Sequence, residues 1–172
     1  DEMDFRPMFK GGGQERSRRA GTENVAGIVG FGVAAELARG NRVQMDRTAH
    51  LRSALEDGLR SIVPEINIHG SNVDRLPNTS CISMPGVEAE LQVMALDLEG
   101  IMVSAGSACS SGKVTTSHVL TAMGVPKTEA SSAIRVSLGW RSDAKDVETF
   151  LSAWQALYAR TRNENLIRAT AA

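Results

Sequence analysis

The hydrophobic period of this chain changes partway along, and that change restricts the folds open to it. Leu51, Leu55, Leu59 and Ile62 recur at helical spacing up to Pro64, which cannot continue a helix. Ile66-Asn67-Ile68 and Thr79-Ser80-Cys81-Ile82-Ser83-Met84 then alternate as two short strands, the second bounded by Pro77 and Pro85. Glu88 to Glu99 returns to helix, with Leu91, Ala95 and Leu98 predicted inward, Glu88 and Glu90 in the first turn, and Gly100 as the C-cap. Ile101-Met102-Val103 reads as a third strand. Ser104 to Thr116 consists mostly of Ser, Gly, Ala and Thr without a period, which predicts a mobile loop. Ser117 caps a short helix ending at Gly124. Ile134, Val136 and Leu138 form one face of a fourth strand, and Asp143 opens a last helix with Val147, Phe150, Leu151, Trp154 and Tyr158 inward. Residues after Asn163 are expected to fray. From Ile66 onward this order suits a small sheet with helices packed on one side, an α/β or α+β fold.

The preceding segment has a different character. Lys10 to Arg19 combines three glycines with Arg16, Arg18 and Arg19, a loop that tolerates positive φ and carries charge. Thr22 is the expected N-cap of a helix in which Val25, Ile28, Val29, Gly32, Val33 and Leu37 recur, with Gly30 and Gly32 permitting close packing. The residues before Arg39 read as the tail of another domain. The sequence opens on Asp1 and enters the glycine-rich loop almost at once, so a piece of something larger is expected.

At 172 residues, 42% hydrophobic and 23% charged, the chain can bury one sizeable core and an appended segment. Its formal net charge of -1 supplies no field to gather nucleic acid or an anionic membrane. No apolar run approaches the roughly 18 residues of a membrane helix, and the acidic Asp1-Glu2-Met3-Asp4 is unlike a signal peptide, so a cytoplasmic location is expected. Cys81 and Cys109 form no CxxC pair and no zinc-spaced cluster, which argues against metal binding and a disulfide framework.

Cys109 lies within Ser104-Ala105-Gly106-Ser107-Ala108-Cys109-Ser110-Ser111-Gly112, where burial is hardest. Two readings stand side by side: an accessible nucleophilic thiol, or an incidental exposed cysteine. Cys81 alternates with apolar strand neighbours and reads as a core residue. Arg135 falls on the opposite face from Ile134, Val136 and Leu138; it suits bidentate capture of a carboxylate, or is an arginine on the solvated face of an edge strand. Thr22-Glu23-Asn24 after Arg18-Arg19 is a cationic loop feeding a helix N-terminus, which suits either an anion or a plain helix cap. His118 is open to an acid/base or a capping role, while His50 and His69 read as structural.

Taken together, Gly11-Gly12-Gly13-Gln14-Glu15-Arg16 with Arg18-Arg19-Ala20-Gly21-Thr22-Glu23-Asn24, Leu76-Pro77-Asn78-Thr79, Ser104 to Gly112, Ser117-His118-Val119-Leu120 and Ala133 to Gly139 resemble the cysteine desulfurases. The resemblance covers nearly the whole chain. It implies the fold type I architecture of transferases dependent on pyridoxal 5'-phosphate (PLP), with residues 1–39 similar to the end of the large PLP-binding domain, 40–163 to the small C-terminal domain, and 164–172 a frayed tail. By the same resemblance Cys109 corresponds to the cysteine that takes sulfur from L-cysteine as a persulfide, and Arg135 to the arginine that pairs with the substrate carboxylate. Thr22 corresponds to the threonine that reaches the PLP phosphate of the partner subunit in a homodimer. SAGSACSSG resembles the branch with a long catalytic loop, which includes the nitrogen-fixation type, and this implies an iron–sulfur scaffold as sulfur acceptor.

One departure stands out. The family's PLP lysine follows a histidine, and Lys10, Lys113, Lys127 and Lys145 have no such context. The expectation is a desulfurase fragment inactive by itself. A selenocysteine lyase of the same fold and a non-enzymatic sulfur-carrier or docking module are the alternatives.

Overall fold

The computed structural model describes residues 6–106 and 116–170, without the side chains of Arg42 and of residues 164–170. The chain divides into two compact units, Asp1–Arg42 and Val43–Ala172. In the first, a single turn α1 (Gln14–Ser17) precedes α2 (Val25–Gly40). The cap of α2 is Asn24, not Thr22: the Asn24 side chain accepts a hydrogen bond from the Gly27 N–H at 3.2 Å. Asn24 directly precedes the first helical residue, the position from which a short polar side chain reaches the open N–H groups of the first turn. No residue of α2 is buried, and Phe31 and Leu37 are 79% and 68% exposed. Within 4 Å of a methyl group placed at Gly30 or Gly32 there is nothing, so the expected close packing has no partner within the described residues.

The second unit runs α3 (Arg42–Ile62), β1 (Asn67–His69), β2 (Thr79–Ser83), α4 (Ala89–Leu98), β3 (Ser104–Ala105), α5 (His118–Ala122), α6 (Lys127–Ala130), β4 (Ala133–Ser137) and α7 (Ala144–Thr170). The strands form an antiparallel sheet in the order β1-β2-β4-β3. Ile68, Ile82 and Ile134 lie in register across it and share one face. Against that face pack Leu55 and Leu59 of α3, Leu96 of α4, and Val147, Phe150 and Trp154 of α7. The small α+β unit therefore has one principal core. The opposite face is not bare: Leu120 of α5 and Ala130 of α6 cluster there with Ala133 and the half-buried Cys81. Cys81 is thus set apart from the main core, in a small satellite cluster.

Two elements differ from their sequence-based expectation. The third strand is Ser104–Ala105 rather than Ile101–Val103, because the ladder with β4 starts only where Ser104 comes opposite Arg135. Upstream, Gly100 takes φ +75° and the Ile101 N–H bonds back to the Leu96 carbonyl, closing the end of α4. The buried side of α4 is also rotated. Ala89, Gln92 and Leu96 face inward, whereas Leu91 and Leu98 are 48% and 88% exposed and only Ala95 touches the core as expected. Gln92 is fully buried because its Nε2 donates to the carbonyls of Val87 at 2.9 Å and Ser132 at 2.7 Å. A polar group enters a core when such partners await it.

The last helix starts from a reciprocal cap: the Asp146 N–H donates to Asp143 Oδ1 and the Asp143 N–H to Asp146 Oδ2, each at 3.1 Å. It continues through Thr170, past Asn163.

Candidate active site

β4 decides the geometry. It lies between β2 and β3, so Arg135 projects from a central strand and the edge-strand reading does not hold. Alternation turns Ile134 and Val136 into the core and Arg135 to the other face, where it is half-buried. In register across that face stand His69, Cys81, Arg135 and Ser104, one from each strand. The row contains no carboxylate. Arg135 Nη1 donates to the Gly106 carbonyl at 2.7 Å, and among the described residues it has no ion-pair partner.

Cys109 and Lys113 lie outside the described residues. Gly106 and Thr116 line one cleft of about 150 Å³ together with Glu88, Glu90, Ala130 and Ser131. The described residues on either side of the Cys109 segment thus share one cleft, and of the two Gly106 bonds the arginine. Ser117 then caps α5, its Oγ accepting from the Leu120 N–H at 3.4 Å, and His118 is exposed at the first helical position.

The two cysteines are distinguished by environment. Burial pushes the Cys81 thiol above its ordinary pKa, and the neighbouring Arg135 charge offsets that only in part, so Cys81 stays protonated and unreactive near neutral pH. His69 is pushed the other way: burial lowers its pKa and the Glu129 charge opposes that incompletely. Its Nε2 lies 2.6 Å from Ser83 Oγ, whose hydroxyl donates to the Glu129 carbonyl. The ring therefore ties β1 to β2 and α6.

In the first unit Thr22 sits on an exposed turn, and its carbonyl accepts from Arg19 Nη1. Beside it opens a cleft of about 840 Å³ whose walls include Arg6, Arg16, Arg18 and Arg19 along with Glu15. Its cationic balance suits an anion.

Among the described residues no group of three or more His, Cys, Asp or Glu could hold a metal ion, and no helix is long and apolar enough to cross a membrane.

Comparison with known proteins places this arrangement. The aminotransferase class-V family profile matches residues 6–150. The chain belongs to the class-V aminotransferases. This class-V chain is similar to a cysteine desulfurase of Cereibacter sphaeroides, 48% identical over 147 residues that make up 86% of this chain and 38% of the relative. It is also similar to the cysteine desulfurase NifS of Azotobacter vinelandii, 40% identical over 160 residues, 92% of this chain and 40% of the relative. Among solved structures, the NifS-like protein from Rickettsia africae ESF-5 superposes with a TM-score of 0.78 at 40% identity, covering 91% of this chain and 41% of that one. The class-V chain thus spans about two fifths of the length of the curated relatives it matches. These relatives make PLP the cofactor to consider at family level.

The signal that sequence reasoning lacked was the pairing of Arg135 with Gly106, because a backbone carbonyl has no sequence signature. The central position of β4 was equally hidden, since strand order depends on which strands pair.

Proposed function

We propose that this chain is the small domain and the end of the large domain of a cysteine desulfurase, divided near residues 39–40. The complete enzyme converts L-cysteine to L-alanine. The observation that carries this reading is Arg135: a half-buried guanidinium on a central strand, unpaired with any described carboxylate and held at the root of the Cys109 segment. A half-buried cation with no counter-ion among the described residues suits an anion from outside, and a planar fork suits a carboxylate.

In this reading Arg135 takes the substrate carboxylate and thereby orients the amino acid. The Cys109 thiolate attacks the substrate sulfur, that sulfur leaves its β-carbon, and the carbon takes a proton, so that a persulfide on Cys109 and L-alanine result. PLP, when bound, supplies the electron sink that makes the carbon–sulfur bond breakable. The residues present fit the periphery of that cofactor. Thr22, exposed beside a cationic cleft, would hold the phosphate of the partner subunit's cofactor in a homodimer. Attachment is a different matter: Lys127 opens α6 and Lys145 lies in a cleft between α4 and α7, neither in the row beside Arg135. Since none of Lys10, Lys113, Lys127 and Lys145 has the sequence context of the family's PLP lysine, the attachment lysine comes from elsewhere in the complete enzyme, and this chain alone is inactive. The persulfide then passes to an iron–sulfur scaffold or another sulfur-acceptor protein in the cytoplasm.

The test is alanine release from L-cysteine in the presence of PLP. The complete enzyme releases alanine, Cys109→Ser abolishes it, Cys81→Ser keeps it, and the isolated chain releases none. Turnover by the isolated chain would overturn the cofactor account. Persistence in Cys109→Ser with selenocysteine alone would move the assignment to a selenocysteine lyase, and persulfide uptake without alanine release by the complete protein would make it a sulfur carrier.

A further inference from the structure

Arg135 makes one hydrogen bond among the described residues, and its geometry restricts what the side chain can do. A guanidinium offers two bidentate edges, the Nε–Nη2 side and the Nη1–Nη2 end. The Gly106 carbonyl takes one of the two Nη1 N–H groups at 2.7 Å, which crowds the Nη1 side of the fork, while Nε and Nη2 have no hydrogen-bond partner among the described residues. That carbonyl is placed by the sheet. Ser104 pairs with Arg135 and Ala105 with Ile134, so β3 delivers Gly106 to the guanidinium after two residues of ladder. Gly106 then turns with φ +61°, a region that residues with a Cβ disfavour. A side chain at this position would strain the turn and shift the carbonyl.

We propose that the Gly106 carbonyl is a positioning group for substrate: by engaging Nη1 of Arg135, it presents the Nε–Nη2 edge to the incoming carboxylate. The proposal rests on the reading that Arg135 receives that carboxylate, and adds which edge does so and what fixes it. Among the described residues no carboxylate forms an ion pair with Arg135. A side-on pair also fixes the plane of the carboxylate, and with it the direction of the rest of the amino acid.

The direct test is a crystal structure of the complete PLP-loaded enzyme with L-alanine, the product, which keeps the carboxylate but cannot turn over. The expected result is carboxylate oxygens on Nε and Nη2 with the Gly106 contact to Nη1 retained. A carboxylate on the Nη1–Nη2 end, with the Gly106 contact broken, overturns this inference and leaves the functional reading standing. A carboxylate remote from Arg135 overturns both. In solution, calorimetric titration with L-alanine should show Gly106→Ala weakening binding at least about tenfold, as loss of alignment in a charge-assisted pair does. In an Arg135→Lys background, which has no fork to align, Gly106→Ala should add nothing. Equal losses in both backgrounds mean that the carbonyl acts independently of the guanidinium and refute the proposal. Unchanged affinity in Arg135→Lys alone refutes the functional reading instead.

Discussion

Replacing Glu56 by Gln should destabilise the second unit by about 3 kcal/mol, the lower end of the cost of breaking a buried charge pair. Glu56 projects from α3 and is 5% exposed. Its Oε2 lies 2.8 Å from Arg75 Nη2, its Oε1 accepts from Ser80 Oγ at 2.8 Å, and Arg52 Nε lies 3.9 Å away. Arg52 also donates to the Leu76 carbonyl at 2.6 Å, so one carboxylate joins α3, β2 and the connection leading into it. Glutamine keeps the shape and one acceptor oxygen but leaves two guanidinium groups, with side chains only 17% and 18% exposed, without the counter-charge they share. The retained acceptor is why the lower end applies. Urea unfolding followed by tryptophan fluorescence is the assay, because Trp154 is fully buried in the core of this unit. With m of about 1.5 kcal/mol/M, the midpoint should fall by about 2 M at constant m. The pH dependence adds a second criterion. Burial alone would raise the Glu56 pKa, but hydrogen bonds from Arg75 and Ser80 and the charges of Arg75 and Arg52 outweigh it and hold the pKa below the ordinary value. A carboxyl with a lowered folded-state pKa contributes stability that is complete above the unfolded value, about 4.3, and is lost as pH falls through the folded one. The gap between wild type and Glu56→Gln should therefore be constant from pH 6 to 8, about the usual range of greatest stability, and shrink below that carboxylate value. A midpoint within error of wild type at neutral pH, or a gap that widens in acid, would refute the reasoning.

His69 has a lowered folded-state pKa, so its neutral form is favoured by the fold and stability should fall as pH drops below the ordinary histidine value, about 6.5. His69→Asn should flatten that part of the profile, measured as unfolding midpoints at several pH values. Gly58→Ala should destabilise by about 1–2 kcal/mol despite the better helix propensity of alanine, because the added methyl meets the Leu151 side chain where α3 and α7 approach. Thermal melting of the variant checks this, and Gly58→Ala combined with Leu151→Ala should recover part of the loss.

Much of the fold was legible because its long elements have strong periods. The spacing of Leu51, Leu55, Leu59 and Ile62 marks α3, and alternation around Ile82 and Ile134 marks the two central strands. Less was legible where an element is short or a face is mixed. Ile101-Met102-Val103 has strand-forming composition, yet the ladder belongs to Ser104–Ala105, since pairing with β4 is a tertiary event. α4 is apolar on more than one side, so its pattern could not say that Gln92 rather than Leu91 points inward. The four-residue α6 was missed for want of any period.

The same division holds for the site. Residue types and their order along the chain determined the family resemblance, the side of β4 on which Arg135 stands, and the contrast between Cys81 in a strand and Cys109 in a small-residue segment. These are local properties, written in spacing and in side-chain chemistry. Only the tertiary structure decided that Arg135 stands on a central strand, in a row without carboxylates and against the Gly106 carbonyl, and that Glu56 gathers Arg52, Arg75 and Ser80 around one buried charge. Such contacts join residues far apart in the sequence, 29 positions in the case of Arg135 and Gly106, through side chains, backbone atoms and strand order, and one-dimensional periodicity encodes none of these.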